Sequence, residues 1–184
     1  MPRTRQRPSP QHPILQLGLA QLDEASAERV RLFRLVTTTG MLLRARLDRE
    51  LAPHGLTTQQ AMLLQHVEGH GGAPTMTELA RIMLMTHQNV RQLVDILVRK
   101  KFLRVEQDPR DGRVRRLRLT AHHHRFWRHR NAGDFGQVNE WTAALNDREV
   151  SSTISALMRL HLSLREDSTN TDHVSPPDAT FDDE

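Results

Sequence analysis

The chain has 184 residues, with 26 Lys and Arg against 22 Asp and Glu, a net charge of +4 and no cysteine. The missing cysteine excludes disulfides, thiolate metal sites and thiol-based redox sensing. No apolar run approaches the ~20 residues that span a bilayer.

An apolar content of 37% and a length within ordinary domain size fit one folded domain with ends outside its core. Residues 1–13 carry three arginines and no acid, and read as a disordered basic arm. Residues 166–184 carry seven acids and no Lys or Arg, and read as a disordered acidic tail. Between them, residues 14–165 hold 23 basic and 15 acidic residues. All of these basic residues except Lys100 and Lys101 are arginine, the side chain that pairs bidentately with phosphate and with guanine edges. An arginine bias of this kind equally reflects a GC-rich genome. The start of the chain is broken by prolines, and the apolar patch after it contains Gln16, Gly18 and Gln21. That is a poor secretion signal, so a cytoplasmic protein is expected.

In chain order, Ile14 to Leu22 forms a short first helix, and a long helix follows from about Ser26 to Leu51. In the long helix Leu32, Leu35, Val36, Leu42, Leu43 and Leu47 recur at helical spacing. Pro53 and Gly55 end it. The next helix opens at Thr57, with Gln60 three residues on as a capping box, and closes at Gly69, Gly71 and Gly72. A second capping box, Thr75 and Glu78, opens a short helix that turns at Met85-Thr86 into a helix over Thr86 to Lys100. The alternation of Leu103 and Val105, and of Leu117 and Leu119, marks two half-buried strands joined by the turn sequence DPRDGR. A helical segment after Thr120 contains Gly133 and Gly136 and is expected to break there. A last helix begins at Asn146, capped by Glu149, and runs through Val150, Ile154, Leu157, Met158, Leu160 and Leu164.

Two short helices followed by an arginine-rich hairpin make a shape suited to duplex DNA. One helix enters the major groove and the wing reaches the neighbouring backbone or minor groove. Val90, Leu93, Val94 and Leu97 form the inward face of the Thr86–Lys100 helix. Gln88, Arg91, Gln92, Asp95 and Arg99 lie opposite, with His87 and Asn89 on the flanks of the first turn. Gln and Asn pair with adenine and Arg with guanine, while Asp95 is expected to organise a neighbouring arginine. From Arg104 to Arg118 the hairpin holds six arginines and three acids. Its tip, Arg110 to Arg113, can offer a guanidinium to a minor groove, with Asp111 orienting Arg113 through a charge-assisted pair.

The stretches LTTQQAMLL, MTELA, LVDILVRKK, DPRDGR and RLRLT resemble the MarR family of bacterial transcription regulators, over roughly residues 30–165. The resemblance implies a mostly α fold with a small β-wing: a winged helix-turn-helix at 56–120 with dimerisation helices at 14–53 and 121–165. It further implies a homodimer whose two lobes meet successive major grooves of a pseudo-palindromic operator. Thr86, His87, Gln88, Asn89, Arg91 and Gln92 would then face the major groove, Arg113 the minor groove, and Arg110 and Arg115 would sit beside it on the wing. Members are typically released from DNA by small anionic aromatic compounds, and Arg44, His66 and Arg125 lie on helices that could border such a pocket. The chain departs from the family at Lys101, where a glycine usually ends the recognition helix and a left-handed residue would be strained or absent. It departs again at His122, His123 and His124, and at Gly133 and Gly136.

A repressor released by a small ligand is the leading expectation. A metal-responsive regulator on the same scaffold stays open, because His66 and His70 have the i,i+4 spacing of paired ligands. Gly69 argues against that pair, and His122, His123 and His124 point in three directions, with His129 too far from His122 for one ion. No cofactor or metal ligand set is therefore assigned. An architectural protein binding DNA without sequence preference would share the basic surface without needing Gln88, Asn89 and Gln92. No phosphate loop, nucleophile elbow or cysteine site suggests an enzyme, and Asp108 and Asp111 lie in a turn flanked by arginines.

Overall fold

The structure is a computed structural model that describes residues 13–170. The chain forms two compact units, one up to Phe126 and one from Trp127.

In the first unit, α1 (Pro13–Gln16) is a single turn, shorter than the helix expected over Ile14 to Leu22. Gly18 follows with a φ of 69°, a conformation that ends a helix at little cost. Leu15 and Leu19 are buried all the same, and Leu17 gives its carbonyl to Arg34 Nη1 at 2.7 Å. These contacts hold the segment on α2 (Glu24–Leu51). Asp23 caps α2 by accepting the Ser26 N–H at 3.0 Å. A 3-10 turn over Ala52–His54 and Gly55, at φ 67°, then reverse the chain. The Asp48 carboxylate accepts the Thr58 N–H at 2.6 Å, which stitches the end of α2 to the start of α3 (Thr58–Gly69). Thr57 Oγ1 accepts the Gln60 N–H at 3.3 Å, the first half of the expected capping box. The Gln60 side chain is turned to another use: its Oε1 accepts from Lys100 Nζ at 3.1 Å.

α4 (Met76–Met83) starts with a complete capping box, in which Thr75 Oγ1 takes the Glu78 N–H and Glu78 Oε2 takes the Thr75 N–H. α5 (His87–Arg99) follows after a turn, and then the antiparallel pair β1 (Leu103–Gln107) and β2 (Arg115–Leu119), in register from Leu103 opposite Leu119 to Gln107 opposite Arg115. The core lies where α3, α4, α5 and β2 meet: Leu63, Leu64, Leu79, Val90, Val94, Leu97 and Leu117 are fully buried. Each such side chain contributes about 1.5–3 kcal/mol by leaving water. Leu93, expected on the inward face of α5, is half-buried.

Two helices end on side-chain-bearing residues in the left-handed region. Leu84 has φ 52° and Lys101 has φ 62°. At the end of α5 the Phe102 N–H reaches the Leu97 carbonyl and the Lys101 N–H the Val98 carbonyl, both at 2.9 Å. This is a Schellman termination. The left-handed position at Lys101 is therefore present, and Phe102, 4% exposed, is the buried anchor that enforces it. A Cβ there costs about 1–2 kcal/mol, partly offset by the backbone freedom that glycine adds to the unfolded chain. Lys101→Gly is expected to stabilise the protein by about 0.5–1 kcal/mol, read as a rise in the midpoint of urea unfolding.

α6 (Ala121–Thr142) runs without a break through Gly133 and Gly136, contrary to the interruption expected there. Each glycine costs about 1 kcal/mol relative to alanine. A two-point Arg130–Asp134 pair, at 2.6 and 3.1 Å, bridges the turn that contains Gly133. In the second unit, α7 (Asp147–Asn170) opens with the expected box: Asn146 Oδ1 takes the Glu149 N–H and Glu149 Oε2 takes the Asn146 N–H. Because α7 continues to Asn170, the boundary expected at 166 falls too early. The remainder of the acidic tail, and residues 1–12 of the basic arm, lie outside the described residues. No helix among the described residues is long and apolar enough to cross a membrane.

Candidate nucleic-acid interface

Thr86 caps α5: its Oγ1 accepts the Asn89 N–H at 3.2 Å and keeps its own proton for donation. The cap exposes the first turn of the helix, where unpaired backbone N–H groups and the positive end of the helix dipole favour anions. Thr86, His87, Gln88, Asn89, Arg91 and Gln92 are all exposed, while Val90, Val94 and Leu97 on the other side are not exposed at all. The burial of those three side chains is what turns the polar face outward.

The wing is held by its own acids. Asp108 Oδ1 accepts the Arg110 N–H at 2.8 Å and Asp111 Oδ1 accepts the Arg113 N–H at 2.9 Å. The expected Asp111–Arg113 pair is thus a bond to the backbone, and the Arg113 guanidinium is not engaged by it. Asp108 also takes Arg116 Nε at 2.6 Å. Arg116 Nη1 in turn donates to the Ala73 carbonyl at 3.0 Å and lies 3.6 Å from Glu78 Oε2. Arg116 therefore joins the wing to the capping box of α4. The Leu117 N–H adds a bond to the Pro74 carbonyl at 2.8 Å.

Ion pairing divides the six arginines of the hairpin. Glu106 takes Arg104 at 3.1 Å and Arg118 at 2.7 Å, and Asp108 takes Arg116. Among the described residues Arg110, Arg113 and Arg115 make no ion pair, and all three are exposed. Two of them, Arg113 and Arg115, line a cavity of about 490 Å³ together with His87 and Arg91 from α5 and Thr75 and Thr77 from the start of α4. Helix α5 and the wing thus share one concave, cationic surface. Asp95 lines it too, but makes no ion pair among the described residues.

Hydrogen bonds lower the pKa of several carboxylates, Asp23 at the start of α2 among them. Glu78 is lowered mainly by the Thr75 N–H, Asp108 by the Arg110 N–H and then Arg116, and Asp48 by the Thr58 N–H and hydroxyl. Each binds fewer protons in the folded than in the unfolded chain. The stability they contribute is complete above the unfolded carboxylate range near pH 4 and is lost as pH falls through the lower folded values. Urea unfolding at about pH 6 and about pH 3 should therefore show a lower midpoint in acid, and Glu78→Gln should narrow the difference.

The residues considered for a small-ligand site are not gathered by this cavity. Arg44 is exposed on α2 with Asp48 3.8 Å away, His66 is half-buried on α3, and Arg125 is exposed on α6. His70 is the cap of α3 rather than a helical partner of His66. His122 packs edge-on against Phe102 at 4.7 Å. Sequence reasoning missed Arg116 and Glu78 as wing anchors. Their signal was the strand register, which places Arg116 across from Glu106 and within reach of Asp108.

α4, its turn, α5 and the β1–β2 hairpin make up a winged helix-turn-helix. Residues 54–114 match the sequence model of the MarR family. The fold around it is that of solved regulators. A MarR protein from Peptoclostridium difficile superposes with a TM-score of 0.70 at 14% identity, over 83% of this chain and 95% of its own. A mutant MarR from E. coli complexed with operator DNA gives 0.65 at 20% identity, over 75% and 99%. MepR from S. aureus, in a DNA complex, gives 0.59 at 20% identity, over 73% and 94%. No curated protein sequence matches the chain.

Proposed function

We propose that this chain is a MarR-family, sequence-specific DNA-binding transcription regulator that acts as a homodimer on a pseudo-palindromic operator. The observation that carries the reading is the shared surface of α5 and the wing. His87 and Arg91 of α5 line one cavity with Arg113 and Arg115 of the wing, two arginines with no acid partner among the described residues, and Gln88, Asn89 and Gln92 are exposed on the same helix. Phosphate contacts come from the wing and the capped helix start, and base contacts from the first two turns of α5. An architectural protein would use the same charges without the polar reading row.

The homodimer is supported by apolar helix surface left in water by the single chain. α2 exposes Leu32, Phe33, Leu35, Val36, Met41, Leu42, Leu43 and Leu47, and α7 exposes Ile154, Leu157, Met158, Leu162 and Leu164. Contiguous patches of this kind mark association sites. Within this reading the chain acts in the cytoplasm as a repressor that a small ligand releases, with no catalytic role. Release requires a ligand that binds the DNA-incompetent spacing of the two lobes more tightly than the competent one.

Selection of bound fragments from genomic DNA, followed by competition against random duplex at fixed salt, tests the reading. An inverted repeat whose half-sites lie about one helical turn apart, bound at least ~10³-fold more tightly than random duplex, is the expected outcome. A ratio near one would replace it with the architectural alternative.

A further inference from the structure

We propose that Glu68, His123 and His124 form a binding site for a divalent transition-metal ion of the zinc type. One donor atom from each residue lies within 4.8 Å of the donors of the other two. They come from the last turn of α3 and the first turn of α6, so the cluster exists only in the folded chain.

The three residues have complementary roles. His123 is 1% exposed and is the fixed member, its ring 5.1 Å from that of His124 at an interplanar angle of 80°. Thr120 holds this turn in place: its Oγ1 accepts the His123 N–H at 3.3 Å and its hydroxyl donates to the Lys101 carbonyl at 2.6 Å. Glu68 and His124 are exposed and can rotate. A tetrahedral ion with bonds of about 2.0–2.2 Å needs its ligand atoms roughly 3.4 Å apart, so the donors of these three residues, now within 4.8 Å of one another, must draw together when the ion binds.

Burial, followed by the charges of His124 and His122, lowers the His123 pKa to about 4. Two imidazoles and one carboxylate suit zinc, nickel or copper rather than calcium or magnesium, which take oxygen ligands. Three protein ligands leave a fourth position open to water or a small anion. A bound ion would clamp the end of α3 to the start of α6, immediately after the wing.

The site rests on side-chain geometry and not on the regulator reading, so it is tested without DNA. Metal-free full-length protein is titrated with zinc in competition with a chromogenic chelator, and separately with cobalt(II), whose visible ligand-field bands report the donor set. One zinc per chain is expected, with Glu68→Gln and His124→Ala each weakening binding about 10–100-fold or more and each changing the cobalt spectrum. Both positions are exposed, so the variants keep the fold, which thermal unfolding of the metal-free proteins verifies; His123→Ala, at a buried position, is not needed. Failure to bind zinc stoichiometrically would overturn the proposal. So would unchanged affinity in both variants, or loss of binding in His70→Ala alone, which would put the ion elsewhere.

Discussion

Leu42→Glu is expected to turn the dimer into monomers and to weaken operator binding by about 10²–10⁴-fold. Leu42 is 67% exposed in the middle of the apolar surface of α2. In the proposed dimer that surface is covered, and each leucine it buries contributes about 1.5–3 kcal/mol. A carboxylate at the same place loses this term and must also be stripped of water, at a cost of several kcal/mol. Operator affinity falls with the dimer because a second lobe already tethered to DNA binds at high effective concentration. Sedimentation velocity reads the mass, and a shift assay reads operator affinity. A Leu42→Glu chain that stays dimeric would remove this face of α2 from the interface. A monomer that binds the operator as tightly as the parent protein would remove the need for two lobes. Thermal unfolding separates either outcome from misfolding, since the side chain is in water in the single chain.

Arg113→Ala carries the second large effect. Operator affinity is expected to fall about 10–100-fold and the slope of log K against log salt to shrink by about 0.9, the loss of one phosphate contact. Arg113 suits this role because Asp111 fixes its backbone N–H while no acid among the described residues neutralises its guanidinium. Arg104→Ala is the matched control. Arg104 is on the same hairpin, but it pairs at 3.1 Å with Glu106, a carboxylate it shares with Arg118, so both readouts should move less. If the two variants lose affinity equally, general charge rather than the wing's geometry drives binding. Gln88→Ala should behave differently from both. It should relax discrimination at one base pair by about 1–3 kcal/mol and leave random-duplex affinity unchanged. Equal loss on every sequence would exclude base readout by Gln88.

The elements that were legible in the sequence are those whose signals are local. The capping boxes Thr75/Glu78 and Asn146/Glu149 each form within four residues, and both appear complete in the structure. The period of Val90, Val94 and Leu97 fixed which side of α5 is buried, and so which side is exposed. Other features depend on competition between local preference and tertiary contacts. Gly133 and Gly136 suggested a break, yet α6 is continuous, because a cost of about 1 kcal/mol per glycine is small beside the hydrogen bonds of a 22-residue helix. Lys101 suggested that the left-handed termination was strained or lost. It is retained, since Phe102 must turn into the core.

The amino-acid sequence by itself determined the order of helices, the wing, the exposed polar face of α5 and the arginine-rich charge, because these follow from spacing and composition along the chain. Only the tertiary structure decided which arginines remain without an acid partner, that Asp111 holds the Arg113 backbone, that Arg116 ties the wing to α4, and that Glu68 meets His123 and His124. Each of those depends on a distance of a few ångströms between residues brought together by strand register or helix packing. Coulomb and hydrogen-bond energies change steeply over that range, and one-dimensional spacing carries no information about it.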